Sequence, residues 1–256
     1  FERKGVVILN ASAIKTGEFD FKQVGQGTGL EKITVTNILL DNNGTMWLTT
    51  NGRGVYKYKE EKIQNYKYRN GLASDVILSI CQDRSGNIWF GSSGAGAIKL
   101  SDEIFTYYYN ILGLGNSDIF SVTNDDKGNI WVGTSTNGAF CYTRDPLSNK
   151  TKVQQFTETN GLAGFDVRSI IKDTKGNLWF ATENGVSKYN GTGFINYTKR
   201  NGLPGNQIRS LLEDSKGNIW FGTYGNGLVK YNGFSFKNYS TADGLNHEYI
   251  HSMYED

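Results

Sequence analysis

Hydrophobic and polar positions alternate along this chain in short bursts separated by turn residues. In the clearest stretch, Ile77-Leu78-Ser79-Ile80 gives way to the polar Asp83-Arg84-Ser85-Gly86-Asn87, and Ile88-Trp89-Phe90 follows. A small-residue loop, Ser93 to Gly96, leads to Ala97-Ile98-Lys99-Leu100, and a last burst runs from Ile104 to Tyr108. Bursts of four to six residues rich in β-branched and aromatic side chains, bounded by Gly, Asn, Asp and Ser, predict strands. The Asp side chain can bond amides two residues on, and Gly supplies the positive φ that closes a tight hairpin. No stretch of useful length carries the 3.6-residue periodicity of a helix.

The same phrase returns five times, opened by Asp41, Asp83, Asp125, Asp173 and Asp214 and closed by Trp47, Trp89, Trp131, Trp179 and Trp220. These are all the tryptophans of the protein, spaced 42, 42, 48 and 41 residues apart. Four short strands in a period of about 40–45 residues predict one blade of a β-propeller. The fold class expected is all-β: four-stranded antiparallel blades, five of them complete, with partial blades at both ends. The expected boundaries are 31–70, 71–113, 114–161, 162–202 and 203–244, with partial blades at 1–30 and 245–256, in one propeller domain or propeller fragment. Both ends fall within a blade, which suggests a fragment of a seven-bladed propeller, or a six-bladed ring if the ends close on each other.

Each blade closes on a Gly-Leu pair, among them Gly71-Leu72, Gly161-Leu162, Gly202-Leu203 and Gly244-Leu245; Leu112-Gly113-Leu114 is the counterpart between the second and third. The run from Gly202-Leu203 through Leu211-Leu212-Glu213-Asp214, Gly217-Asn218-Ile219-Trp220-Phe221-Gly222-Thr223 and Gly227-Leu228-Val229-Lys230-Tyr231 resembles the two-component regulator propeller repeat. The likeness extends over nearly the whole chain. It implies the sensor region of a bacterial hybrid histidine kinase or related regulator, on the periplasmic side of the inner membrane. Such regions commonly hold two seven-bladed propellers ahead of a β-sandwich domain, and a kinase would lie elsewhere in the full-length protein. The repeat signature holds blades together, so it speaks to fold more directly than to ligand.

Composition narrows the partners. Lys and Arg number 27 against 25 Asp and Glu, so no basic stripe suggests nucleic acid. No apolar run is long enough to span a bilayer and no signal peptide starts at Phe1, so membrane attachment is expected only through segments outside this sequence. Cys81 and Cys141 fall at unlike repeat positions, each read as standing in for an apolar residue, which predicts buried free thiols. Asp41-Asn42-Asn43-Gly44 resembles part of a calcium loop but lacks the later ligands, so a hairpin turn is expected, and no metal or cofactor. The insertion Thr143 to Lys150 explains the spacing of 48 and reads as a lengthened loop between third and fourth strands.

Function is expected where the repeats disagree. Ten residues before each Trp stands a small polar residue: Asn37, Ser79, Ser121, Ser169 and Ser210, with Ser252 by analogy. The residue before it varies: Thr36, Leu78, Phe120, Arg168, Arg209 and His251. Loops leading into first strands and loops joining second to third strands should gather on one face around the channel. Arg168, Arg209 and His251 would form a basic arc there for a carboxylate or sulfate, unless they pair internally with Asp166 and Glu213. Phe120, Phe165, Tyr224 and Tyr249 could stack on sugar rings, with Asn206, Gln207, Asn226 and Asn246 bonding hydroxyls. This constellation suits an oligosaccharide fragment from polysaccharide breakdown. Streptogramin lyases are similar propellers whose chemistry depends on His and Glu at the channel mouth. Here only His247, Glu248 and His251 answer to that, so catalysis is not expected. A streptogramin-lyase-like propeller enzyme and a protein-binding scaffold, including one that forms a homodimer, are the alternatives.

Overall fold

The computed structural model describes residues 6–9, 21–25, 27–108, 114, 116–144 and 151–255. Five four-stranded antiparallel sheets follow one another, each with its strands in sequence order. Blade one holds β3 (Val35–Leu40), β4 (Met46–Thr50), β5 (Val55–Lys59) and β6 (Lys62–Tyr66); blade two holds β7 (Ile77–Gln82), β8 (Ile88–Ser92), β9 (Ala97–Ser101) and β10 (Ile104–Tyr108). Blade three holds β11 (Ile119–Asn124), β12 (Ile130–Thr134), β13 (Ala139–Arg144) and β14 (Thr151–Phe156). Blade four holds β15 (Val167–Lys172), β16 (Leu178–Thr182), β17 (Gly185–Tyr189) and β18 (Phe194–Tyr197). Blade five holds β19 (Ile208–Glu213), β20 (Ile219–Thr223), β21 (Leu228–Tyr231) and β22 (Phe236–Tyr239). Ahead of them β1 (Val7–Leu9) pairs antiparallel with β2 (Phe21–Gln23), in the manner of a third and fourth strand. First strands of successive blades lie side by side, so they form the inner wall.

The repeated Trp is the core between blades. Trp47 packs with Leu72, Ile77, Ile88 and Phe90 of the next blade, and Trp89, Trp131 and Trp179 do the same further on. Each indole is also fastened at its polar edge. The Nε1 of Trp179 donates to Asp173 Oδ2 at 2.8 Å, while Asp173 Oδ1 accepts from the amides of Lys175 and Asn177 at 3.0 and 2.7 Å. Trp47, Trp89, Trp131 and Trp220 donate in the same way to Asp41, Asp83, Asp125 and Asp214. One carboxylate thus closes the hairpin and orients the core residue six positions on. This use also accounts for Asp41 as a turn residue, and no cluster of metal-ligating side chains occurs among the described residues.

Two of these carboxylates, Asp214 and Asp41, titrate accordingly. Desolvation pushes the Asp214 carboxyl up, but bonds from Trp220, Asn218 and Lys216 outweigh it and hold the group at about 2. Asp41 is lowered by the same balance. A folded-state value below the unfolded one stabilises the fold above the unfolded pKa, and this is lost as pH falls through the folded value. Stability to urea is therefore expected to fall between about pH 4 and pH 2. The Asp214→Asn chain should show a shallower decline over that window; an identical slope would exclude the assignment.

Two expectations need correction. Cys141 does not stand in for an apolar residue: it faces Trp131 at the register position where Lys57, Lys99, Lys188 and Lys230 face their tryptophans. Those ammonium groups lie 5.1–5.8 Å from the ring centroids. Cys141 is buried and Cys81 is only partly so; both are free, and burial pushes their thiols up to about 11 and about 12. The insertion also begins later than its sequence suggests, since Thr143 and Arg144 continue β13 and pair with Lys152 and Thr151. Its residues 145–150, together with Leu112-Gly113 and Asp256, lie outside the described residues. Between blades the chain makes single 3₁₀ turns, such as Tyr68–Asn70 and Lys199–Asn201, which sequence periodicity is too short to reveal.

Candidate channel-mouth site

Every first strand carries a β-bulge against its second strand, and the bulged residue is the variable one. The register slips between Val35 and Asn37, Ile77 and Ser79, Ile119 and Ser121, Val167 and Ser169, and Ile208 and Ser210. Thr36, Leu78, Phe120, Arg168 and Arg209 are therefore the unpaired residues, and a bulge re-aims its side chain out of the ladder. Ile250 stands against Gly222 as Ile119 stands against Gly91 and Val167 against Gly133, so His251 occupies the same place after Ile250. The neighbouring small polar residue has a structural task. Asn37 Nδ2 donates to Leu78 O at 2.7 Å and Ser121 Oγ accepts from Ile170 N at 2.9 Å, stitching adjacent inner strands.

The predicted side chains fall into two clusters. In the first, Arg168 Cζ lies 3.8 Å from the centroid of Phe120, the bulge residue of the preceding blade. Arg168 Nη2 bonds Asp166 Oδ2 at 2.6 Å. Arg168 Nε and Asp166 Oδ1 are buried and have no partner among the described residues. Glu183, on the loop between β16 and β17, accepts from the amides of Phe165 and Asp166 at 3.2 and 2.9 Å and so holds the entrance to β15. Phe165 is half-exposed beside it.

In the second cluster, Arg209 Cζ lies 4.7 Å from the ring of Tyr224, and Tyr224 meets Tyr249 edge to face at 4.5 Å. His247 packs on Tyr249 at 4.7 Å, and its Nδ1 accepts from the Tyr249 amide at 3.1 Å. Arg209 has no ion-pair partner among the described residues; Glu213 instead accepts from Thr174 N and Oγ1 of the preceding blade. Arginine on an aromatic face keeps its edge donors available, which suits a carboxylate or sulfate above the ring.

Two predicted hydroxyl-binding residues are engaged within the protein. Asn206 Oδ1 accepts from Lys199 N at 2.8 Å and shapes a 3₁₀ turn, while Asn226 packs against Gly205 in its loop. Gln207 is exposed, and its carbonyl accepts from Tyr224 N. Glu248 is likewise engaged, accepting from Thr241 N at 2.7 Å. Sequence reasoning missed Glu183, because the loop it occupies is one residue shorter than that of Tyr224 to Gly227 and drops out of alignment.

A family model described as "Two component regulator propeller" matches residues 71–94, 113–136, 163–184 and 202–225. No curated protein matches the chain in sequence. Among solved structures, the extracellular domain of the putative hybrid two component system BT3049 from B. thetaiotaomicron has 25% identity and a TM-score of 0.72, over 84% of this chain and 30% of that one. The extracellular domain of a second such system from B. thetaiotaomicron, BT4673, has 18% identity and a TM-score of 0.68, over 93% of this chain and 34% of that one. The chain thus spans about a third of those domains. A catalytically inactive virginiamycin B lyase from Staphylococcus aureus, with 15% identity and a TM-score of 0.65 over 81% of this chain and 70% of that one, shares the fold. No helix of the described residues is long and apolar enough to cross a membrane.

Proposed function

We propose that this chain, four segments of which match the two component regulator propeller model, is an extracytoplasmic ligand-sensing propeller of a hybrid two-component system. Its ligand is a polysaccharide-derived oligosaccharide carrying an acidic group, taken at the channel mouth in the periplasm. The observation that carries this reading is the run of bulges, which places Phe120, Arg168 and Arg209 in consecutive blades, each arginine backed by an aromatic ring. Rings offer a face to the sugar and guanidinium groups offer a fork to its acid. Binding would bias the packing of neighbouring first strands, which a kinase elsewhere in the full protein would read. The chain itself is read as non-catalytic, since Glu248 is committed to the Thr241 amide and His247 Nδ1 to the Tyr249 amide.

Thermal-shift screening against neutral, uronic and sulfated oligosaccharides, followed by calorimetry, tests this. An acidic fragment is expected to stabilise the chain, and Arg168→Gln with Arg209→Gln to weaken it about tenfold or more. Unchanged affinity in the double variant would remove the site. No stabilisation by any class, together with self-association, would favour the scaffold.

A further inference from the structure

A groove of about 650 Å³ opens at the rim of blade two, lined by Tyr68, Arg69, Gly71, Leu72, Ala73, Gly94, Ala95 and Tyr107. It exists because blade two departs from the repeat at two positions that face each other. Ala95 stands on the loop between β8 and β9 where the matching loops carry Arg53, Asn137 and Asn226. The Asn137 side chain bonds Ser117 Oγ at 2.9 Å, and Asn226 presses on Gly205; Ala95 can do neither, so the space stays open. Tyr107 stands on the fourth strand where the others carry Asn65, Gln155, Asn196 and Asn238. Asn196 donates to Gly161 O at 2.9 Å, and the Tyr107 hydroxyl makes the corresponding bond to Gly71 O, which fixes its ring along the groove. Two amides have thus been exchanged for a methyl group and an aromatic face. Tyr68 stands at the edge, 71% exposed, on a turn held by the bond from its amide to Asp75 Oδ1 at 2.7 Å.

The chemistry of the lining selects the occupant. A polyhydroxylated sugar needs polar partners around its ring, and at these two positions blade two has lost the side-chain amides that other blades carry. What remains is an apolar floor of Leu72, Ala73 and Ala95, two tyrosines, and the exposed Arg69, which has no hydrogen-bond or ion-pair partner among the described residues. Tyrosine and arginine around a small apolar hole are the composition of a protein-interaction anchor. We propose that this groove docks a protein segment presenting an apolar side chain close to an Asp or Glu, the apolar group entering above Ala95 and the carboxylate meeting Arg69. The groove is lined by none of the residues of the two channel-mouth clusters, and the proposal does not depend on the sensing assignment.

The test is a phage-displayed library of random linear peptides panned on the 256-residue chain, with the Ala95→Asn chain for counter-selection. Asparagine at this position is what two other blades carry, so the variant is expected to fold, as circular dichroism would verify. Enriched peptides should share an apolar residue within about two positions of an acidic one. Synthetic copies should lose roughly tenfold or more in affinity with Ala95→Asn. They should lose about fivefold with Arg69→Gln, together with their salt dependence. Arg69→Gln, on the surface, serves as the discriminating variant if Ala95→Asn is misfolded. Peptides that bind the variants equally, enriched peptides without an acidic residue, or no enrichment would overturn the proposal. So would digalacturonate binding that Ala95→Asn abolishes, since it would make the groove a saccharide site.

Discussion

Asp173→Ala is expected to lower the free energy of unfolding by about 3–5 kcal/mol, the largest loss for any single polar side chain among the described residues. Asp173 is buried, and its two oxygens accept from the Lys175 and Asn177 amides, the Asn177 side chain and the Trp179 indole. Alanine leaves these donors without their acceptor, and an unsatisfied buried donor costs about 1–3 kcal/mol. Trp179 is also the least exposed of the five indoles, stacked on Tyr197 at 5.7 Å and packed with Leu203, Ile208 and Phe221 of blade five. Loosening it therefore loosens the joint between two blades as well as one hairpin. Asp173→Asn should fall between wild type and alanine, because its amide can accept with one end only. Urea unfolding followed by tryptophan fluorescence and by circular dichroism measures the loss. In a blade array local opening can precede the global transition, so hydrogen exchange at β16 should rise first. A loss below about 1 kcal/mol would show that water replaces the carboxylate, and the clamp would cease to explain the repeat.

The Asp–Trp pair shows why some of the fold could be read in advance and some could not. The tryptophan spacing announces blades because each indole must fill the same gap between sheets. The turn role of Asp is equally visible, being local. The indole–carboxylate bond is not, since it depends on how β4 or β16 leaves the hairpin and folds back over it. The bulges are hidden for a related reason. One extra residue in a strand changes no composition, yet counting back from Trp still arrives at Thr36, Leu78, Phe120, Arg168 and Arg209, because the bulge sits at a constant distance from the core residue. Variation at that position is tolerated because its side chain has left the ladder. Cys141 is the opposite case: its position looks apolar until the register places it opposite Trp131, where lysines stand in four other blades. The groove at Ala95 was legible only as two small departures from the repeat, far apart in sequence, that become one feature when β10 lies beside the loop after β8.

Gly138→Ala is expected to cost about 2–4 kcal/mol and to disturb the channel mouth as well. Gly138 opens β13 at a φ of 73°, and a Cβ there would lie 2.2 Å from the backbone oxygen of Phe156. The obstacle is main chain, paired in the sheet, so it cannot swing away as a side chain would. Gly128 provides the control: its φ is 79°, but a Cβ there meets nothing within 4 Å. Gly128→Ala should therefore cost only about 1 kcal/mol, the conformational penalty alone. The difference between the two isolates the close approach of β13 to β14. A functional consequence follows from the same place. The Gly138 amide donates to Phe165 O at 2.9 Å, and its carbonyl accepts from Thr134 N and Oγ1, so the glycine ties the loop after β12 to the entrance of β15. A shift at Gly138 moves Phe165 and, through the adjoining Asp166, the ion pair that orients Arg168 over Phe120. On the proposed function, affinity for an acidic oligosaccharide should then fall in Gly138→Ala and stay near wild type in Gly128→Ala. Equal stability losses in the two variants would mean that backbone conformation, not steric contact, sets the requirement for glycine at this position.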